Sequence, residues 1–246
     1  MADIRIPEEI ITWMTSRNWG PHHVEYHTVK RWDIWHHRAA GGDQGAIAVV
    51  NFMNDRGWQR PAIQEGGTGD GLEFLAMHRA MLLLIKQQFP MHAPWFEGWN
   101  SPPTDPSDAG DPVANNSAFE AQKIEAIRLI QTDANFFLSE DHFGIFTETN
   151  IQPTPANPDN RTKDRRYGVH NYLHGRWTDT TSPVNLGDPE VNIFNARFWK
   201  LHGWIDKAWT TFRGRRGLSD DEPQYKSTIE RYTEMIIRIF NYTLFE

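Results

Sequence analysis

The 246-residue chain contains no cysteine. That excludes disulfides, thiolate metal sites and cysteine nucleophiles, and leaves nitrogen and oxygen as the ligand atoms available to a metal. Long apolar runs are missing as well: nothing approaches the ~18 consecutive apolar residues of a membrane-spanning helix. The segment Met1-Ala2-Asp3-Ile4-Arg5-Ile6-Pro7 lacks the basic stretch and apolar run of a secretory leader. A cytoplasmic protein without a membrane partner is therefore expected. Positive charge is not in excess. The formal net charge is −7 and no dense Lys/Arg run occurs, which argues against nucleic acid as a partner. The one basic cluster, Arg213-Gly214-Arg215-Arg216, reads as a solvated loop. No internal repeat is visible, and alternation of period two is nowhere sustained, so sheet content should be small.

What the chain does have is eleven histidines and eleven tryptophans. Imidazole is the commonest metal ligand, and indole is a large apolar body with one donor. The length suits a single domain over 1–246, burying roughly 70–75 % of its unfolded surface. Pro7-Glu8-Glu9-Ile10 opens a first helix that Gly20-Pro21 would stop, and a second is predicted from about Pro21 to Ala40. The loop Gly66–Gly71 should have a helix on each side, over Ala46–Phe52 and Leu72–Phe89. Prolines at 94, 102, 103, 106 and 112 mark an irregular stretch. Ser117-Ala118-Phe119-Glu120 then has capping-box spacing for a helix through about Leu138. After a second proline-rich connection, Pro189 is read as opening the strongest helix, with Val191, Phe194, Phe198, Leu201, Ile205, Trp209 and Phe212 at three- and four-residue steps. A last helix is expected from about Glu222 to Phe245.

Histidine placement carries the chemistry. His170 and His174 are four apart, which puts two imidazoles on one helix face about one turn from each other. His202 falls inside the apolar stripe, about 40° from Phe198 and 60° from Ile205 at a 100° step. A buried imidazole needs partners for both nitrogens: a metal with a hydrogen bond, or carbonyls, as in a plain core histidine. His78 sits likewise in the stripe Leu72, Leu75, Leu82, Ile85 and should face inward.

Four segments in order resemble the tyrosinase, catechol oxidase and hemocyanin group of binuclear copper proteins. Phe74-Leu75-Ala76-Met77-His78-Arg79 is similar to the family's FLxxHR motif, and Pro94-Trp95-Phe96-Glu97-Gly98-Trp99 to the aromatic and acidic stretch that follows it. His170-Asn171-Tyr172-Leu173-His174 resembles HNxxH. Phe198 to Trp209 resembles FWLHHAxxDxxW, with Leu201 in place of the first histidine and His202 on the ligand position. The resemblance implies a mainly α fold, an antiparallel four-helix bundle with long Pro-rich loops, and a copper bound by His170, His174 and His202. His78 would be the remnant of a first copper site, because no histidine lies between His37 and His78. His23, His27 and His37 are candidate substitutes, sharing one face if 21–40 is one continuous helix. The resemblance further places Asn171 and Phe198 at the substrate pocket, although Phe198 as a core aromatic needs no function at all. An Arg79–Asp206 ion pair would tie two ligand-bearing helices together.

The expected function is that of a divergent tyrosinase-like copper oxidoreductase acting on a small phenolic or aminophenolic compound, with the second copper site intact and the first eroded. One copper is expected, with zinc as the alternative ion. The competing readings are a non-oxidising protein that holds metal or an aromatic ligand in the old pocket, with a protein partner or an oligomer, and a mononuclear Zn or Cu lyase or hydrolase.

Overall fold

The computed structural model describes residues 4–113 and 118–239. Among them are ten α-helices, three short 3-10 helices and no strand beyond isolated bridges such as Arg5 with Asn195. The architecture is mainly α. The helices are α1 (Glu8–Ser16), α2 (Trp19–Val29), α3 (Trp32–Ala40), α4 (Gln44–Asp55), α5 (Asp70–Gln88), α6 (Ala121–Thr132), α7 (Glu140–Glu148), α8 (Val169–Arg176), α9 (Ala196–Arg216) and α10 (Pro223–Ile239). The capping box beginning at Ser117 lies partly outside the described residues, as does the chain beyond 239.

Helix α5 is the hub of the core, packing against α7, α9 and α10. It is apolar almost all round, with Phe74, Ala76 and Ile85 fully buried, as expected of a helix surrounded by others. Its contact with α7 is close because glycines face each other: a Cβ on Gly71 would lie 2.1 Å from the Asp141 carbonyl oxygen. The Asp141 carboxylate accepts from the backbone N–H groups of Gly69 (2.8 Å) and Gly71 (2.9 Å), caring for donors left over at the start of α5. Arg79 and Asp206 form the expected pair, Nε to Oδ1 2.5 Å, and Arg79 also lies over the Trp209 ring and donates to the Tyr225 hydroxyl at 2.8 Å.

Several boundaries differ from the sequence reading, among them the end of α6, which stops at Thr132 and not near Leu138. Gly20-Pro21 does not stop a helix; it lies in the first turn of α2, where no proline N–H is required. The segment 21–40 is not one helix but two, broken at Lys30-Arg31. There the Lys30 ammonium is buried between Asp70 (2.5 Å) and Glu73 (3.0 Å), Arg31 pairs with Glu65, and the Lys30 carbonyl accepts from Glu65 N–H at 2.8 Å. Charges reaching 40 residues along the chain thus set a corner that local periodicity cannot show. Pro189 does not open the long helix either. Residues 189–195 form turns, and Asn195 caps α9 by accepting from Arg197 N–H at 2.9 Å. No helix in the described residues is long and apolar enough to cross a membrane.

Candidate metal centre

Six histidines from four helices meet in the interior: His23 and His27 from α2, His78 from α5, His170 and His174 from α8, and His202 from α9. His78, His170 and His202 form a buried group whose ring nitrogens lie within 4.8 Å of one another and could hold an ion; His23, His27 and His78 form a second such group. The expectation that His78 lacks histidine companions is therefore corrected. His37, on α3 beyond the corner, is exposed, and the break at Lys30-Arg31 is what separates it from His23 and His27.

Five of the six rings are oriented by what their Nδ1 touches. His23 Nδ1 meets the Pro189 carbonyl at 2.7 Å, His78 that of Phe74 at 2.9 Å, His174 that of Leu186 at 2.7 Å and His202 that of Phe198 at 2.7 Å. His170 Nδ1 faces Asn171 Oδ1 at 3.0 Å. Carbonyl oxygens only accept, so Nδ1 carries the hydrogen in these neutral rings and Nε2 is left as a lone pair. This is the orientation in which a backbone or amide oxygen fixes a metal-binding imidazole.

Nε2 atoms then face Nε2 atoms. Those of His170 and His202 are 3.1 Å apart, and those of His23 and His27 are also 3.1 Å apart. Two nitrogens on one ion with bonds of about 2.0–2.1 Å would lie about 2.9–3.4 Å apart for ligand angles between about 90° and 109°. Nε2 of His78 and Nε2 of His174 are buried without a partner. In the His170–His202 pair, where Nδ1 of each ring carries the hydrogen, two lone pairs at 3.1 Å repel unless a cation lies between them, whereas His27 can donate from Nε2 to His23. Burial holds every one of the six well below the ordinary imidazole range, His23 and His174 at about 4. Six neutral imidazoles with converging lone pairs are a donor set fitted to a borderline divalent metal.

Of the remaining site residues, Asn171 lines a cavity of about 220 Å³ that opens onto His23, His27, His170 and His174. Phe198 does not line it. This ring is buried beneath the cluster, 4.0 Å from the His202 ring and 5.3 Å from that of His23, and so packs the histidines from behind. The sequence reading did not single out Arg31, Trp35 and Asn192, which complete the cavity wall. Arg31 carries its charge into a bond with Glu65, so the mouth has no uncompensated cation. No local pattern marks these three, because the 3-10 turn Asn192–Phe194 and the α2/α3 corner bring them together from distant segments.

Comparison of the chain with protein-family models, with curated proteins and with solved structures gives no match.

Proposed function

We propose that the protein is a copper oxidoreductase of the tyrosinase-like kind, with two metal ions, acting on a small phenol or aminophenol that enters by the cavity beside Asn171. The observation supporting this reading is the meeting of six neutral imidazoles, five of them oriented through Nδ1, as two neighbouring groups. Because His78 belongs to both groups as they stand, three ligands per ion require His23, His27 and His78 for one and His170, His174 and His202 for the other. Helices α2, α5, α8 and α9 would then be the four helices of the bundle that the resemblance implies. Copper bound there would supply the exchange of electrons between dioxygen and the phenol. The chain's part is to hold the rings: carbonyls of Pro189, Phe74, Leu186 and Phe198 fix four of them, and the Asn171 carboxamide oxygen fixes His170. The cavity has room for a single aromatic ring, since an apolar cavity of about 150 Å³ already accepts benzene. Phe198 and the apolar body of the core exclude water from below.

Metal content decides between this reading and its competitors. Copper-loaded protein should contain two equivalents per chain and gain a near-ultraviolet band on addition of hydrogen peroxide. His27→Ala and His202→Ala should each retain about one equivalent and lose that band. A single equivalent in the unaltered protein would favour a mononuclear Lewis-acid site or a ligand-binding protein, and none would sink every metal reading.

A further inference from the structure

A second cavity also reaches the cluster at His23. Its volume is about 190 Å³, and its wall is mostly apolar: Met77 and Met81 from α5, Met235 from α10, and Val29 and Tyr26 from α2. None of the residues lining it is exposed. At its edge Lys30 is paired with Glu73 at 3.0 Å, and the Glu25 carboxylate lies 3.7 Å from the His22 ring. Its lining also includes the polar side chains of Glu25, Lys30, Glu73 and Tyr232, but most of the surface it presents is apolar, and apolar cavities of comparable size take up xenon or benzene. It lies one imidazole away from the metal centre, since His23 lines both cavities and Met77 directly precedes His78.

We infer that this methionine-lined cavity is a binding site for a small apolar gas, dioxygen, held beside the histidine cluster while the polar-mouthed cavity receives the aromatic substrate. Dioxygen needs no hydrogen bond, partitions into apolar surroundings, and suits the adaptable, polarizable wall that three thioethers provide. The division of entry keeps a bound phenol from blocking the gas. The site's role rests on the oxidase reading above; its affinity for the gas does not.

The test uses dioxygen itself as the probe. Dissolved oxygen is paramagnetic and speeds relaxation of the nuclei it touches. In zinc-loaded protein carrying 13C-methyl methionine, the methyls of Met77, Met81 and Met235 should relax faster under oxygen than under nitrogen. The gain should exceed that at Met14 and Met53, which are fully buried elsewhere. Val29→Phe and, from the opposite wall, Met235→Trp should fill the space, abolish the enhancement at the remaining cavity methyls and leave zinc content unchanged. Equal enhancement at all buried methyls, or enhancement that survives both substitutions, would overturn the site. In copper-loaded protein, Val29→Phe should raise the KM for dioxygen severalfold and leave that for the phenol unchanged; an unaltered oxygen KM would overturn its role. Failure of the oxidase reading shows separately, as absence of two copper equivalents and of the peroxide band in the unaltered protein, and the methyl experiment still decides whether oxygen binds.

Discussion

Glu148 is the least expected buried residue outside the histidines. It ends α7 at 3 % exposure, its Oε2 has no partner, and the acids around it, Glu65, Asp70 and Glu73, are already engaged with Arg31, Lys30 and Arg231. Burial first, and then the neighbouring Asp70 and Glu65 carboxylates, raise its pKa well above the ordinary carboxyl value. A carboxyl whose folded pKa is raised gives its full stability below the unfolded value of about 4.3, and loses it as pH rises toward the folded one. The loss has a limiting slope of about 1.4 kcal/mol per pH unit. Glu148→Gln keeps the shape and removes the titration. The variant should melt close to the unaltered protein at pH 5 and progressively above it as pH rises. Parallel melting curves across that range would show that Glu148 is ionised in the fold.

At the scale of elements, close backbone approach decides which helices can meet. A Cβ on Gly71 would fall 2.1 Å from Asp141 O and 2.4 Å from Ile145 N, with no flexible side chain to give way. Gly71→Ala should therefore cost at least the ~1–3 kcal/mol of an overpacked core, read as a lower denaturation midpoint. A Cβ on Gly20 would fall 2.4 Å from Glu190 O, in the loop whose Pro189 carbonyl orients His23. Gly20→Ala should shift that loop and weaken the metal group on α2 more than it lowers stability; undiminished metal affinity would show that the loop does not position His23. The same contacts explain what could be read from sequence. The stripe of α9 and the spacing of His170 and His174 are properties of single helices, and both were legible, as was the Arg79–Asp206 pair. The α2/α3 corner was not, because Lys30 finds its carboxylates on α5, and the partnership of His23 and His27 with His78 depends on that corner. Helix α7 has nine residues and little periodicity of its own, and only its Ser139 cap, accepting from His142 N–H, marked its start.

Across the whole molecule, the histidine cluster joins parts that have unequal means of holding themselves. Helices α5 and α9 are long and deeply buried, whereas α8 has eight residues and α2 carries Gly20, Pro21 and three histidines within eleven residues, a composition poor in helix formers. Nucleation makes such short helices unstable alone, so their order must come from tertiary contacts, and ions shared with α5 and α9 would be the strongest of these. A ligand that binds only the folded state adds about 2.7 kcal/mol at a hundred times its dissociation constant, so two independent sites add about 5 kcal/mol. In a chain of this size each kcal/mol moves the melting temperature by about 2–4 °C, giving a rise of roughly 10–20 °C on metal loading. Removing the metal should lower hydrogen-exchange protection chiefly in α2 and α8, while amides in the middle of α5 and α9 keep theirs. His202→Ala should lose about half the metal-dependent rise, and it should also melt lower without metal, because it leaves a cavity against the Phe198 ring. Equal melting temperatures for loaded and metal-free protein, with unchanged protection in α2 and α8, would mean that these six rings pack as core residues and that no ion ties the four helices together.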